Sequence, residues 1–217
     1  MITKGASANL VSICIHVAST DGPIPFDEKG RSALEAAFQE QSASGFRLLG
    51  LATRAVEARE SFAHADEQGM CLVGFLRFLD PPKPEVRATL KTLAERGIQI
   101  KVITGDNRYV SAHVAESVGL DTQYMLTGEQ ISAIKDDALI HHVHKARMFV
   151  EVDPQQRERI VLALKRAGYS VGYLGDGIND APAMHAADVA ISVDQAVDVA
   201  RESADVVLLK PDLAVYC

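Results

Sequence analysis

Gly175-Asp176-Gly177-Ile178-Asn179-Asp180-Ala181-Pro182 follows an apolar run at residues 171–174 that reads as a buried strand. Asp176 and Asp180 stand four positions apart, with Gly177 and Asn179 between them. If both carboxylates lie at one strand end, their mutual repulsion calls for a cation or a proton. Magnesium suits the pattern, because it takes one or two carboxylates and keeps water and phosphate as its other ligands. Asp180 also stands where a helix N-cap belongs, ahead of Ala181-Pro182. Capping accounts for Asp180 and leaves Asp176 unexplained.

A second apolar run, residues 98–103, leads into Thr104-Gly105-Asp106-Asn107. A hydroxyl, a glycine and backbone amides at a helix start suit a phosphate oxygen. Both turns then fall at the carboxyl ends of strands, where open α/β sheets bind ligands. The same residue types also serve as ordinary caps. Arg157 and Arg159 open a helix after Pro154. A cation there either neutralises a transferring phosphoryl group or lies on a solvated helix face. Together these turns suggest magnesium-dependent phosphoryl transfer.

Outward from these motifs, residues 79–217 alternate strands and helices. Helices are expected at 85–96, 108–118, 155–167, 181–186 and 196–203, with one more inside 128–144. Strands are expected at 98–103, 148–150, 169–174, 189–192 and 206–209. Gly119 and Gly168 read as helix stops. This alternation predicts an α/β fold with a doubly wound parallel sheet. Residues 1–78 read differently: a helix over 26–44, strands over 46–56 and 71–78, and little before them. Three or so elements bury little alone. Asp80-Pro81-Pro82-Lys83-Pro84 divides the two segments, stiffened by three prolines.

The chain has 217 residues, 47% of them hydrophobic, enough for a core in one or two domains. Its net charge of -7 gives nucleic-acid binding no electrostatic support. Cys14, Cys71 and Cys217 are too dispersed for a disulfide framework or a zinc spacing. No apolar run is long enough to span a membrane, so no direct membrane insertion is expected. His141, His142 and His144 do not share one helical face, which argues against a metal site there.

Five stretches in order carry a resemblance: Lys4-Gly5-Ala6, Gly45-Phe46-Arg47-Leu48-Leu49, Asp80-Pro81-Pro82, Thr104-Gly105-Asp106 and Gly175 to Asp180. The chain resembles P-type cation-transporting ATPases over nearly its whole length. The run Ala187 to Asp194, continuing to Arg201, is similar to the magnesium-importing branch. The resemblance implies a haloacid-dehalogenase-like phosphorylation domain at 79–217, preceded by the last part of a nucleotide-binding domain at 1–78. The paired carboxylates make Asp176 and Asp180 both candidate Mg2+ ligands, while the resemblance implies that Asp176 is the ligand, with Asn179 and Asp180 holding that region in place. It implies that Thr104, Gly105 and Asp106 meet the phosphoryl group and the attacking water. Lys4, Gly5 and Arg47 would contact ATP, and Asp80 would lie near its ribose. Other domains of a parent transporter would be partners, with this part on the cytoplasmic side. Two departures stand out. Arg157 occupies the place of the family's lysine, and the family's Asp-Lys-Thr-Gly-Thr nucleophile motif is absent, expected upstream of Met1. A non-catalytic nucleotide- or metal-binding module is an alternative, as is a phosphatase using Asp80 as nucleophile.

Overall fold

The computed structural model describes residues 1–58 and 61–210, so Cys217 lies outside the described residues. The chain forms two compact units, Met1–Pro81 and Pro82–Cys217.

The first unit is built on a five-stranded sheet. Its strands are β1 (Ile2–Ala6), β2 (Cys14–Ser19), β3 (Gly22–Pro25), β4 (Phe46–Thr53) and β5 (Met70–Leu79), in the order β1-β4-β5-β2-β3. Only the β2–β5 pair is parallel. Helices α1 (Ser7–Ile13) and α2 (Glu28–Ala43) complete it. Leu10, Cys14, Phe26, Ala52, Met70 and Leu72 form the buried core. Fully burying side chains such as Met70 and Leu72 contributes about 1.5–3 kcal/mol each. Asp27 caps α2 by accepting the Gly30 N–H at 2.8 Å. From α2, Arg31 donates to the carbonyls of Val11 and Cys14, closing the end of α1, and its guanidinium lies over the Phe26 ring.

This unit is fuller than the sequence pattern suggested. Three of its strands and one helix precede residue 26. They escaped notice because β1 and β2 mix Thr3, Lys4, His16 and Ser19 among their apolar residues, and β3 contains Pro23 and Pro25. Proline removes a ladder donor, so it is tolerated only on an edge strand. β3 is that edge.

The second unit alternates as expected. Its elements run α3 (Val86–Glu95), β6 (Val102–Ile103), α4 (Arg108–Val118), β7 (Met125–Thr127), α5 (Gly128–Ala133), α6 (Asp136–Lys145), β8 (Met148–Val150), α7 (Pro154–Arg166), β9 (Gly172–Leu174), α8 (Ala181–Ala186), β10 (Val189–Val193), α9 (Asp198–Glu202) and β11 (Val206–Leu208). All ladders are parallel. They form two three-stranded sheets, β6-β8-β7 and β9-β10-β11, rather than one continuous sheet. β6 is two residues long where the sequence suggested six, and β7 was not expected at all. The two sheets share packing, since Ile103 and Val171 touch the cores of both. β6 and β9 each end in a turn that a helix follows, α4 and α8, and those two turns position the candidate site. Among the described residues, no helix is long and apolar enough to cross a membrane.

Lys101, just before β6, reaches the end of α6. Its ammonium donates to the carbonyls of Val143 at 2.7 Å and Ala146 at 2.6 Å. Burial, with a smaller push from Arg147, lowers its pKa from 10.5 to about 8. The unfolded chain therefore binds this proton more tightly than the folded one. Stability from this group should rise as pH climbs from about 8 toward 10.5. Urea midpoints of wild type and Lys101→Met at pH 7.5 and pH 10 check this. The difference is expected to move in favour of wild type at the higher pH.

Candidate functional site

Two turns of the second unit carry Thr104, Gly105 and Asp106 and Asp176, Asn179 and Asp180, and Arg157 lies against both. In the first turn, after β6, the Thr104 hydroxyl accepts the Asp106 N–H at 3.1 Å. Asn107 caps α4 by accepting from the N–H groups of Tyr109 and Val110. The turn is fastened to the end of β8, because Glu151 N–H donates to the Asp106 carbonyl and Val152 N–H to the Thr104 carbonyl. Gly105 is exposed. A Cβ there would lie 3.6 Å from Arg157 Nη2.

The second turn follows β9. Its short 3-10 helix, Ile178–Asp180, folds the Asp180 side chain back beneath the loop. One Asp180 oxygen accepts from Arg157 Nη1 at 2.5 Å and from the Tyr173 hydroxyl at 2.9 Å. The other accepts from the N–H groups of Asp176 and Gly177 at 3.3 and 3.1 Å. Gly175 is required here, since a Cβ would sit 2.5 Å from Asp180 Cβ. The Gly175 carbonyl is held by the buried Ser192 hydroxyl. Tyr173 is held neutral: burial raises its pKa, and the Asp180 charge and hydrogen bond add to that.

This arrangement sorts the two carboxylates. Asp180 is buried and surrounded by protein donors, so the geometry makes it the anchor of the loop rather than an open ligand. Asp176 and Asn179 are exposed. The Asp176 carboxylate has no hydrogen-bond or ion-pair partner among the described residues. Among those residues no three His, Cys, Asp or Glu side chains gather as a metal cage. One open carboxylate nevertheless suits magnesium, which fills its other positions with water and phosphate.

Arg159 does not face this place. It bonds Asp136 and the carbonyls of Ile131 and Ile134, closing the end of α5. His142 and His144 instead stack on Tyr124 and Tyr169. Sequence reasoning missed Tyr173, Ser192, Glu151 and Arg108. Tyr173 alone had a signal, a hydroxyl-tipped residue inside an otherwise apolar strand.

Lys4, Gly5, Arg47 and Asp80 belong to the first unit. Lys4 pairs with Leu51 across β1 and β4, and Ala6 pairs with Leu49. Arg47, Leu49 and Leu51 alternate on one face of β4, and β5 adds Phe78 opposite Arg47 and Leu76 opposite Leu49. Lys4 and Arg47 thus flank an apolar strip on one sheet face, separated by about 13 Å along the strands. Leu76 and Phe78 are exposed, at 45% and 47%. Gly5 alternates to the opposite face, paired with Gly50. Asp80 is exposed directly after β5. That strand belongs to the mainly antiparallel sheet, not to the parallel sheets that lead into the Thr104–Asn107 and Gly175–Asp180 turns.

The family profile of haloacid dehalogenase-like hydrolases matches residues 21–188, and the chain belongs to that family. Within it, the chain is similar to "Magnesium-transporting ATPase, P-type 1" of Salmonella typhimurium strain LT2, 41% identical over 218 residues, covering 99% of this chain and 24% of that protein. The same-named protein of Escherichia coli K12 is 40% identical over 216 residues, with the same coverage. "Calcium-transporting ATPase 1" of Yarrowia lipolytica is 30% identical over 217 residues, covering 97% of this chain and 23% of that protein. These identities bear out the resemblance to P-type cation ATPases. The chain spans about a quarter of the length of the curated relatives it matches.

Proposed function

We propose that this chain is the cytoplasmic ATP-handling part of an ATP-driven cation transporter, with magnesium as cargo. Its second unit receives the phosphoryl group, and its first unit contributes to ATP binding. The observation that carries this reading is the bridge made by Arg157, which lies beside Gly105 and pairs with Asp180. It puts a phosphate-type turn, an open carboxylate and a fixed cation at the ends of parallel strands, in a family of hydrolases.

Each residue then has a task. Thr104, Gly105 and Asp106 contact the phosphoryl oxygens and the water that later attacks. Asp176 holds Mg2+, whose charge screens the phosphate when bound. Asp180 and Asn179 keep the Asp176 loop in shape. Arg157 offers charge to the transferring group where the relatives' resemblance implies lysine. Its guanidinium binds Asp180 through one nitrogen, Nη1. In the first unit, the apolar strip takes the base, with Lys4 and Arg47 facing phosphate and Asp80 the ribose. Catalysis of this kind is positioning and electrostatics. The phosphate acceptor is an aspartate outside these residues, since no Asp-Lys-Thr-Gly-Thr occurs in the sequence. The other domains of the transporter are the partners.

Amide NMR of this chain with Mg2+ and inorganic phosphate tests the reading. Shifts at 104–106 and 176–179 that need both ions are expected, and none at either turn would sink it. ATP is expected to shift Lys4 and Leu49. Alone, the chain is expected to give no acid-stable phosphoprotein from labelled ATP, because its nucleophile is lacking.

A further inference from the structure

β6, β7 and β8 run parallel and adjacent, and one residue joins their ends. Glu151, directly after β8, is the non-glycine residue with positive φ among the described residues, at 57°. In that left-handed turn its N–H donates to the Asp106 carbonyl at 3.0 Å. Its carboxylate grips Arg108 three ways. Oε1 accepts from the Arg108 backbone N–H at 3.0 Å and from Nε at 3.1 Å, and Oε2 accepts from Nη2 at 2.8 Å. Its own carbonyl lies 2.3 Å from where a Gly128 Cβ would be, so only glycine fits at the start of α5. Burial pushes the Glu151 carboxyl up, but the hydrogen bonds and charge of Arg108 outweigh it and hold the group below its ordinary value.

A residue in a costly backbone conformation persists only where its surroundings over-determine it, and such residues cluster at working sites. Glycine would occupy this turn without strain. Here a glutamate stands in it, and its side chain is spent on the residue that follows the phosphate turn. We propose that Glu151 is a positioning residue for the 104–107 turn. Its N–H and carboxylate fix both ends of Asp106–Arg108, holding the turn in the conformation that receives a phosphoryl oxygen. The phosphate part of this inference rests on the function proposed above. The turn-holding part does not.

Glu151→Gly separates the carboxylate from the backbone, since glycine keeps the left-handed turn and relieves its strain. The melting temperature is expected to stay level or rise. Amide hydrogen exchange at Arg108 is expected to speed up at least about tenfold, the loss of a charge-assisted hydrogen bond. Affinity for inorganic phosphate with Mg2+ should fall by a similar factor, and Glu151→Gln, which keeps an acceptor, should lose less. A purely structural role would instead lower the melting temperature in step with affinity. Unchanged exchange at Arg108 in the glycine variant overturns the proposal. If wild type itself does not bind phosphate, the functional reading fails, while the exchange measurement still decides whether Glu151 holds the turn.

Discussion

Asp180→Ala is expected to destabilise the second unit by about 3–5 kcal/mol, the range for breaking a buried ion pair and stranding the partner charge. The pair is well covered, with side-chain exposures of 14% for Arg157 and 10% for Asp180. Alanine would leave the Arg157 guanidinium, the Tyr173 hydroxyl and two loop N–H groups facing a void. Arg157 Nε already lacks a partner in its buried position, so the guanidinium has little left to hold it. Denaturant unfolding of the unit reads the loss. Asp180→Asn should lose less, because an amide oxygen still accepts from the loop. A change under about 1 kcal/mol for alanine, the range of an exposed pair, would show that the pair is not the anchor described.

Asp176→Asn has the opposite signature. The side chain is exposed and without a partner among the described residues, so stability should change by no more than about 0.5 kcal/mol, as for surface positions generally. Magnesium-dependent phosphate binding should fall at least 10–100-fold, the loss that even indirect supports of a metal typically give when removed. Titration calorimetry with Mg2+ and phosphate measures it. Equal binding by both proteins would remove Asp176 from the site. The two neighbouring aspartates therefore separate cleanly, one by stability and the other by binding.

That contrast marks what could be read from the residues alone. The pairing of Asp176 with Asp180 was visible, as was α4 over Arg108–Val118, bounded by Asn107 and Gly119. α8 and β8 were equally legible, because short apolar runs between cap residues leave little choice. Spacing alone left the division of labour between the carboxylates open, and only the family resemblance separated them. That division depends on a 3-10 turn that folds Asp180 inward, and on a tyrosine and an arginine 7 and 23 positions away. Arg157 and Arg159 looked alike by spacing, two apart on one helix. The fold sends the first to Asp180 and the second to the end of α5. Glu151 gave no signal, since nothing in its neighbours announces a left-handed turn. In the first unit, β1, β2 and β3 were hidden because cations, small residues and prolines break the alternation that marks a strand.

The prolines of β3 also set a direction. β3 pairs with β2, and Pro23 and Pro25 are two apart in that ladder. Residues two apart point their nitrogens the same way, and a proline nitrogen cannot donate. The outer rim at β3 therefore offers carbonyls without matching donors, and an incoming strand finds no ladder there. Growth of this sheet is possible only past β1. β1 carries Lys4 on the strip shared with Arg47. Any strand added by a longer polypeptide must widen the cationic, apolar face beside Lys4, and leave the proline rim as a fixed border.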